Sequence, residues 1–152
     1  MIDKLNPCVA IIGGGPAGLM AADVLCGKGV SVDLYDSMPS LGRKFLMAGQ
    51  GGLNPNHADA FDAFNERFVE SKSFIAPILD AFPPRAIRAW ATNLGVETFV
   101  GTSGRVFPTE MKAAPLLRAW LRQLRANGLR IHVRHKWMGW DQDGSLMFST
   151  PD

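Results

Sequence analysis

The sequence predicts an α/β fold with a Rossmann-like βαβ core, and three observations carry that expectation. A short apolar run, Cys8 to Ile12, leads into the glycine-rich stretch Gly13-Gly14-Gly15-Pro16-Ala17-Gly18. A helical pattern and a second, β-branched strand follow, so that strand, helix and strand fit within about 30 residues. Much later, an amphipathic helix runs directly into an alternating strand, so helix and strand alternate there too.

Taken in order, residues 8–12 read as a central parallel strand buried on both faces, because the run is continuously apolar and ends in glycine. Residues 16–27 read as a helix. Pro16 stands at its first position, where a missing N–H costs nothing, and Leu19, Ala22, Val24 and Leu25 form an apolar side. Lys28-Gly29 stops it. Residues 30–35 (VSVDLY) form the second strand, closed by Asp36. Residues 40–57 contain four glycines within GRKFLMAGQGGLN and read as a long functional loop. From residue 58 to 94 the phenylalanines at 61, 64, 68, 74 and 82, with Ile75, Ile78 and Leu79, recur at helical spacing and are expected to form the core of a helical insertion. Residues 96–107 predict a hairpin around Gly101 to Gly104. Residues 112–127 predict the clearest amphipathic helix, with Leu116, Leu117, Trp120, Leu121 and Leu124 on one face and Arg118, Arg122 and Arg125 on a solvated face. Strands are expected over 129–134, 136–141 and 146–150. The coarse division is a βαβ unit with its glycine loop (1–57), a mainly helical insertion (58–104), and a helix with the strands that follow it (105–152).

Composition narrows the class. The 152 residues are 47% hydrophobic and 20% charged, a profile that excludes disordered and fibrous classes. Residues 81–152 carry 10 basic and 5 acidic side chains, yet the bases are spread over helix and strand without interleaved aromatics, so no nucleic-acid partner is expected. Cys8 and Cys26 are in no CxxC spacing and read as buried small hydrophobes in a reducing cytoplasm. No stretch approaches the roughly 18 apolar residues of a membrane span, and the N-terminus lacks a secretory pattern. His132 and His135, spaced three apart, have no acidic or cysteine partner in sequence, so no metal site is expected.

The glycine stretch carries the chemistry. Gly13, Gly15 and Gly18 fit G-x-G-x-x-G: the first permits the tight turn, the second admits a pyrophosphate to the backbone, and the third lets helix and strand pack closely. The helix from Pro16 and Ala17 then directs free N–H groups at phosphate. Asp36 stands 18 residues beyond Gly18, where a carboxylate accepts hydrogen bonds from a ribose hydroxyl. The same charge disfavours a 2′-phosphate. These residues do not separate FAD from NAD.

Two further motifs do. Gly42-Arg43-Lys44-Phe45-Leu46-Met47-Ala48-Gly49-Gln50-Gly51-Gly52-Leu53-Asn54 and Gly104-Arg105-Val106-Phe107-Pro108 resemble the BaiN/YhiN-like family of FAD-dependent, NAD(P)-linked oxidoreductases within the two-dinucleotide-binding flavoproteins. The similarity runs from about Val9 to the end. It implies FAD as cofactor, NAD(P)H as co-substrate, an unknown small-molecule substrate, and a GRK loop running toward the flavin. Gly42, Arg43 and Lys44 would neutralise phosphate or orient that loop. Residues 48–54, with Gly49, Gly51 and Asn54, would pass close to the flavin ring. Where many members have Arg-Cys-Asn, this chain has Gly52-Leu53-Asn54, and Asn56-His57 replaces a Thr-Asn pair, so chemistry that leans on the arginine or cysteine does not carry over. His57 reads as a solvent-facing loop residue rather than a proton donor. The resemblance also implies that residues 105–152 supply a crossover helix, the third sheet strand (129–134) and a partial β-meander of an incomplete FAD-binding domain: family members are well over twice this length, so this chain alone is expected to retain flavin weakly. An NAD-binding dehydrogenase-type domain and a non-catalytic nucleotide-binding module remain alternatives, and no catalytic residue is identified.

Overall fold

The computed structural model describes residues 7–49 and 52–151, and the chain divides into two units: Met1–Phe45 with Trp120–Asp152, and Leu46–Ala119. In the first unit, β1 (Cys8–Ile12), α1 (Pro16–Leu25) and β2 (Ser31–Asp36) follow one another closely. β1 and β2 pair in parallel, with Ile12 opposite Tyr35. β6 (Arg130–Val133) joins β2 in parallel, with Asp33 opposite Arg130, giving the order β1-β2-β6. β2 alternates as a two-sided strand must. Val32 and Leu34 are buried with Leu19 and Ala22 of α1, while Ser31, Asp33 and Tyr35 point the other way. β7 (Lys136–Trp140) and β8 (Leu146–Ser149) form an antiparallel hairpin.

Two expectations for this unit need correction. β1 is not buried on both faces: it is an edge strand among the described residues, with Ile12 at 44% exposure. Cys8 is exposed for the same reason, and only Cys26 is buried. An apolar run signals surface to be covered, but burial on both faces needs a layer packed against each of them.

In the second unit, β3 (Asn56–His57), β5 (Arg105–Pro108) and β4 (Thr98–Val100) form an antiparallel sheet in the order β3-β5-β4. The expected hairpin is therefore present as β4 and β5. The helices α3 (Phe61–Asn65), α4 (Lys72–Ala81) and α5 (Pro84–Asn93) follow in order, with a 3-10 segment, Glu66–Ser71, between α3 and α4. Here the phenylalanine pattern misled: no residue of α4 is buried, and Phe74 is 73% exposed. Periodicity aligned an apolar face without specifying anything to lie against it. The stretch 40–57 is not purely a loop either, since it holds α2 (Arg43–Ala48) and β3. RKFLMA has no helix breaker, and Gly42 takes the positive φ of +68° that turns the chain into it. α6 (Ala113–Ala126) buries Leu116, Leu117, Trp120 and Leu124 and exposes Arg118, Arg122 and Arg125, as its amphipathic pattern requires. Among the described residues no helix is long and apolar enough to cross a membrane.

Candidate functional site

The turn after β1 is built from backbone. Gly13 adopts φ +104°, a conformation that side-chain-bearing residues rarely take, and donates its N–H to the Tyr35 carbonyl at 2.8 Å. A Cβ on Gly18 would overlap the carbonyl oxygen of Gly13, so helix and strand approach as closely as the third glycine of the motif allows. A Cβ on Gly15 would meet nothing within 4 Å. Gly15 caps α1 without any side-chain hydrogen bond, and Pro16 occupies the first turn. The N–H groups of Ala17 and Gly18 therefore sit at a helix start that no side chain closes, beside open space.

Asp36 faces this turn. Its Oδ2 accepts from the Gly14 N–H at 2.7 Å and its Oδ1 from the Met38 N–H at 2.7 Å. Leu41 lies over Gly14, and the Gly42 N–H bonds the Gly14 carbonyl at 2.8 Å. The glycine turn, the acid after β2 and the start of the GRK motif are thus one hydrogen-bonded assembly within the first unit.

A cleft of about 220 Å³ opens beside it, lined by Ile12, Gly13, Tyr35, Asp36, Ser37, His135, Lys136 and Trp137. Of the last four, the sequence singles out only His135, and not as a cofactor residue. The signal was there: β1, β2 and β6 are parallel, so residues just past the ends of all three strands gather at one edge of the sheet. The segment is fixed by His135 N–H to the Asp36 carbonyl (2.9 Å) and Arg134 N–H to the Met38 carbonyl (3.1 Å), with Arg134 at φ +60°.

Tyr35 is held between rings, stacking on His132 at 4.5 Å and on Phe148 at 4.2 Å between centroids. Beneath it, Asp33 accepts from Arg130 Nε at 2.7 Å and lies 2.8 Å from His132 Nε2. The Arg130 guanidinium, more than the opposing effect of burial, holds the Asp33 carboxyl down at about 2, with His132 adding to the shift. Burial and the Asp33 charge push the Tyr35 hydroxyl up. The acidic partner of His132, invisible in the linear spacing, comes from the neighbouring strand.

The remaining expected site residues are placed as follows. Arg43 and Lys44 are exposed at the start of α2. A Cβ on Gly49 would meet the Ala113 Cβ at 2.6 Å. Gly51 lies outside the described residues. Asn54 is exposed, and its side-chain amide, oriented by its hydrogen-bond partners, donates to the Asn56 and Val106 carbonyls. His57 is not the solvent-facing loop residue expected. It lies in β3 with its ring against Gly104, Nε2 2.9 Å from the Ser103 carbonyl and Nδ1 2.7 Å from Asp59. The pairing of Asn56 with Val106 and of His57 with Arg105 joins the glycine loop to the GRVFP motif within the second unit. Among the described residues no group of three or more His, Cys, Asp or Glu side chains is placed to hold a metal.

Comparison with known proteins agrees with this assembly. The family model described as HI0933-like protein Rossmann domain matches residues 7–152. The chain belongs to this family. It is the BaiN/YhiN-like flavoprotein family that the two loop motifs resemble. The Escherichia coli (strain K12) protein "Putative oxidoreductase AegA" is 54% identical over 41 residues, 27% of this chain and 6% of that protein. The 3-ketosteroid-Δ4-(5α)-dehydrogenase of Rhodococcus jostii RHA1 shares the fold with a TM-score of 0.64 at 13% identity, over 99% of this chain and 44% of that one. Thermovibrio ammonificans THI4 does so with a TM-score of 0.52 at 18% identity, over 94% and 45%. The chain thus spans less than half of each of these structures and a small part of its curated relative.

Proposed function

We propose that this HI0933-like domain binds FAD and is the cofactor-holding part of a flavin-dependent oxidoreductase. One observation carries the reading: Asp36 faces the glycine turn at whose open side, Gly15, a Cβ would meet nothing within 4 Å. The residues fit the group. The α1 start supplies N–H donors for the pyrophosphate, with Gly15 leaving room for it. Each Asp36 oxygen already takes one backbone N–H and keeps a lone pair for a ribose hydroxyl. The cleft lined by Ser37, His135, Lys136 and Trp137 offers flat and polar walls to the nucleoside end. Gly42 ties the GRK segment to the turn, and Arg43 and Lys44 add positive charge beside an anionic cofactor.

FAD supplies hydride chemistry when bound, and the reaction proposed is exchange of a hydride between flavin and NAD(P)H or a small-molecule substrate. The protein's part is to hold and orient the cofactor. Two free thiols accord with a cytoplasmic setting. The 152 residues alone are proposed to retain flavin weakly and to lack turnover, since a site assembled from distant parts of a longer chain loses contacts and preorganisation when only one part is present.

A fluorescence and absorbance titration of the chain with FAD and, separately, NAD tests the assignment. Saturable quenching of FAD is expected, weakened about tenfold or more by Asp36→Asn, the scale of a charge-assisted hydrogen bond. Saturation by NAD but not FAD would assign the turn to a dehydrogenase instead.

A further inference from the structure

A second cleft lies wholly within the Leu46–Ala119 unit, and of its lining only Asn54 belongs to the cofactor reading. Its volume is about 430 Å³, the size of a small-molecule site. Its apolar lining is formed by Phe64, Leu79, Phe82, Pro84 and Ile87, and its polar lining by Asn54, Asn56, His57, Arg67 and Arg105.

Most of that polar lining is already bonded to the protein. Asn56 Nδ2 donates to the Pro84 carbonyl at 2.6 Å, and Asn54 is held by the Asn56 and Val106 carbonyls. His57 is fixed between the Ser103 carbonyl and Asp59, and Arg67 pairs with the same aspartate. Gly104 holds the ring in place, because a Cβ there would meet His57 Cε1 at 2.5 Å. Arg105 differs. It stands opposite His57 in the β3–β5 ladder, it is exposed, and among the described residues it makes no ion pair. With Arg67 answered by Asp59, Arg105 brings to this partly apolar cleft a guanidinium that has no ion pair among the described residues.

We propose that this cleft binds an organic anion with an apolar body, its carboxylate held by Arg105 and its hydrocarbon or aromatic part laid against Phe64, Leu79 and Ile87. The guanidinium fork matches a carboxylate in bidentate geometry. The apolar lining selects against small inorganic anions, which would leave it wet. A single unpaired cation does not suit a polyanion such as nucleic acid. The proposal stands apart from FAD binding at Gly15 and Asp36.

Calorimetric titration of the chain with trans-cinnamate, the neutral cinnamamide and acetate tests it. Cinnamate is expected to bind saturably, with cinnamamide and acetate each at least about tenfold weaker. Arg105→Gln, at an exposed position that leaves the melting temperature unchanged, is expected to weaken cinnamate about tenfold or more and to leave cinnamamide unaltered. Arg105→Lys should restore part of the affinity. The proposal is overturned if cinnamate shows no saturable binding, if Arg105→Gln binds it as tightly as the native chain, or if cinnamamide binds equally well.

Discussion

At Gly15 an added methyl group would project into open space, whereas at Gly49 it would meet the Ala113 Cβ at 2.6 Å. Both glycines belong to stretches that look alike in sequence, glycine-rich and flanked by apolar residues. The first keeps its backbone bare toward the outside, beside a helix start that no side chain caps. The second lets one segment of the chain lie against another, and Gly52, near Met111 and Phe107, does the same. Glycine density alone therefore does not mark a ligand site. Open space is a necessary condition, met also at turn glycines such as Gly27 and Gly144, and what distinguishes Gly15 is the uncapped start of α1 with Asp36 facing the same turn.

Three glycine substitutions that add one methyl group, and one that removes a charge between strands, sharpen this contrast. The largest loss is expected at Gly18→Ala, where the methyl would overlap the Gly13 carbonyl oxygen and backbone must shift. Urea unfolding should show a loss of about 3 kcal/mol, the upper end of overpacking costs. Next comes Asp33→Asn, which removes the carboxylate that ties β2 to Arg130 and His132 of β6. A carboxyl held at about 2 against an ordinary 3.8 contributes roughly 2 kcal/mol at neutral pH. Because the folded value is depressed, that contribution is complete above about pH 4 and disappears as pH falls through about 2. Native and Asp33→Asn stabilities should accordingly converge over that window. Gly49→Ala should lose about 1 kcal/mol, since Ala113 at the start of α6 has to give way. The smallest effect on folding is expected at Gly15→Ala, a few tenths of a kcal/mol for a cap residue whose side chain bonds nothing. Its effect should appear in binding instead.

The order of expected effects also shows what the sequence could convey. β1, α1, β2 and Asp36 were legible because each rests on local rules: an apolar run, a proline at the first turn, β-branched residues and glycine spacing. The strands at 98–100, 105–108 and 130–133 followed from the same rules. What failed depended on neighbours. β1 was read as a covered strand and lies at the edge of its sheet, with Ile12 exposed. The phenylalanines of 61–82 kept their helical spacing, yet Phe74 faces solvent. His57 was taken for a loop residue because the pairing of β3 with β5 joins positions 48 residues apart, His57 and Arg105. Likewise His132 gained its acidic partner from the neighbouring strand β2, and Ser37, His135, Lys136 and Trp137 meet only at the common edge of a parallel sheet. Such proximities are set by topology, which spacing along the chain does not encode.

The most direct measurement is an FAD titration of Gly15→Ala beside the native chain, under conditions where both are equally folded by circular dichroism. If the bare backbone at Gly15 is where the pyrophosphate lies, the variant should keep its native melting temperature within a degree or two of the loss expected for a cap residue while binding FAD at least about tenfold more weakly. Equal affinity of the two proteins for FAD would contradict the account, because the open space at that turn would then have no part in holding the cofactor.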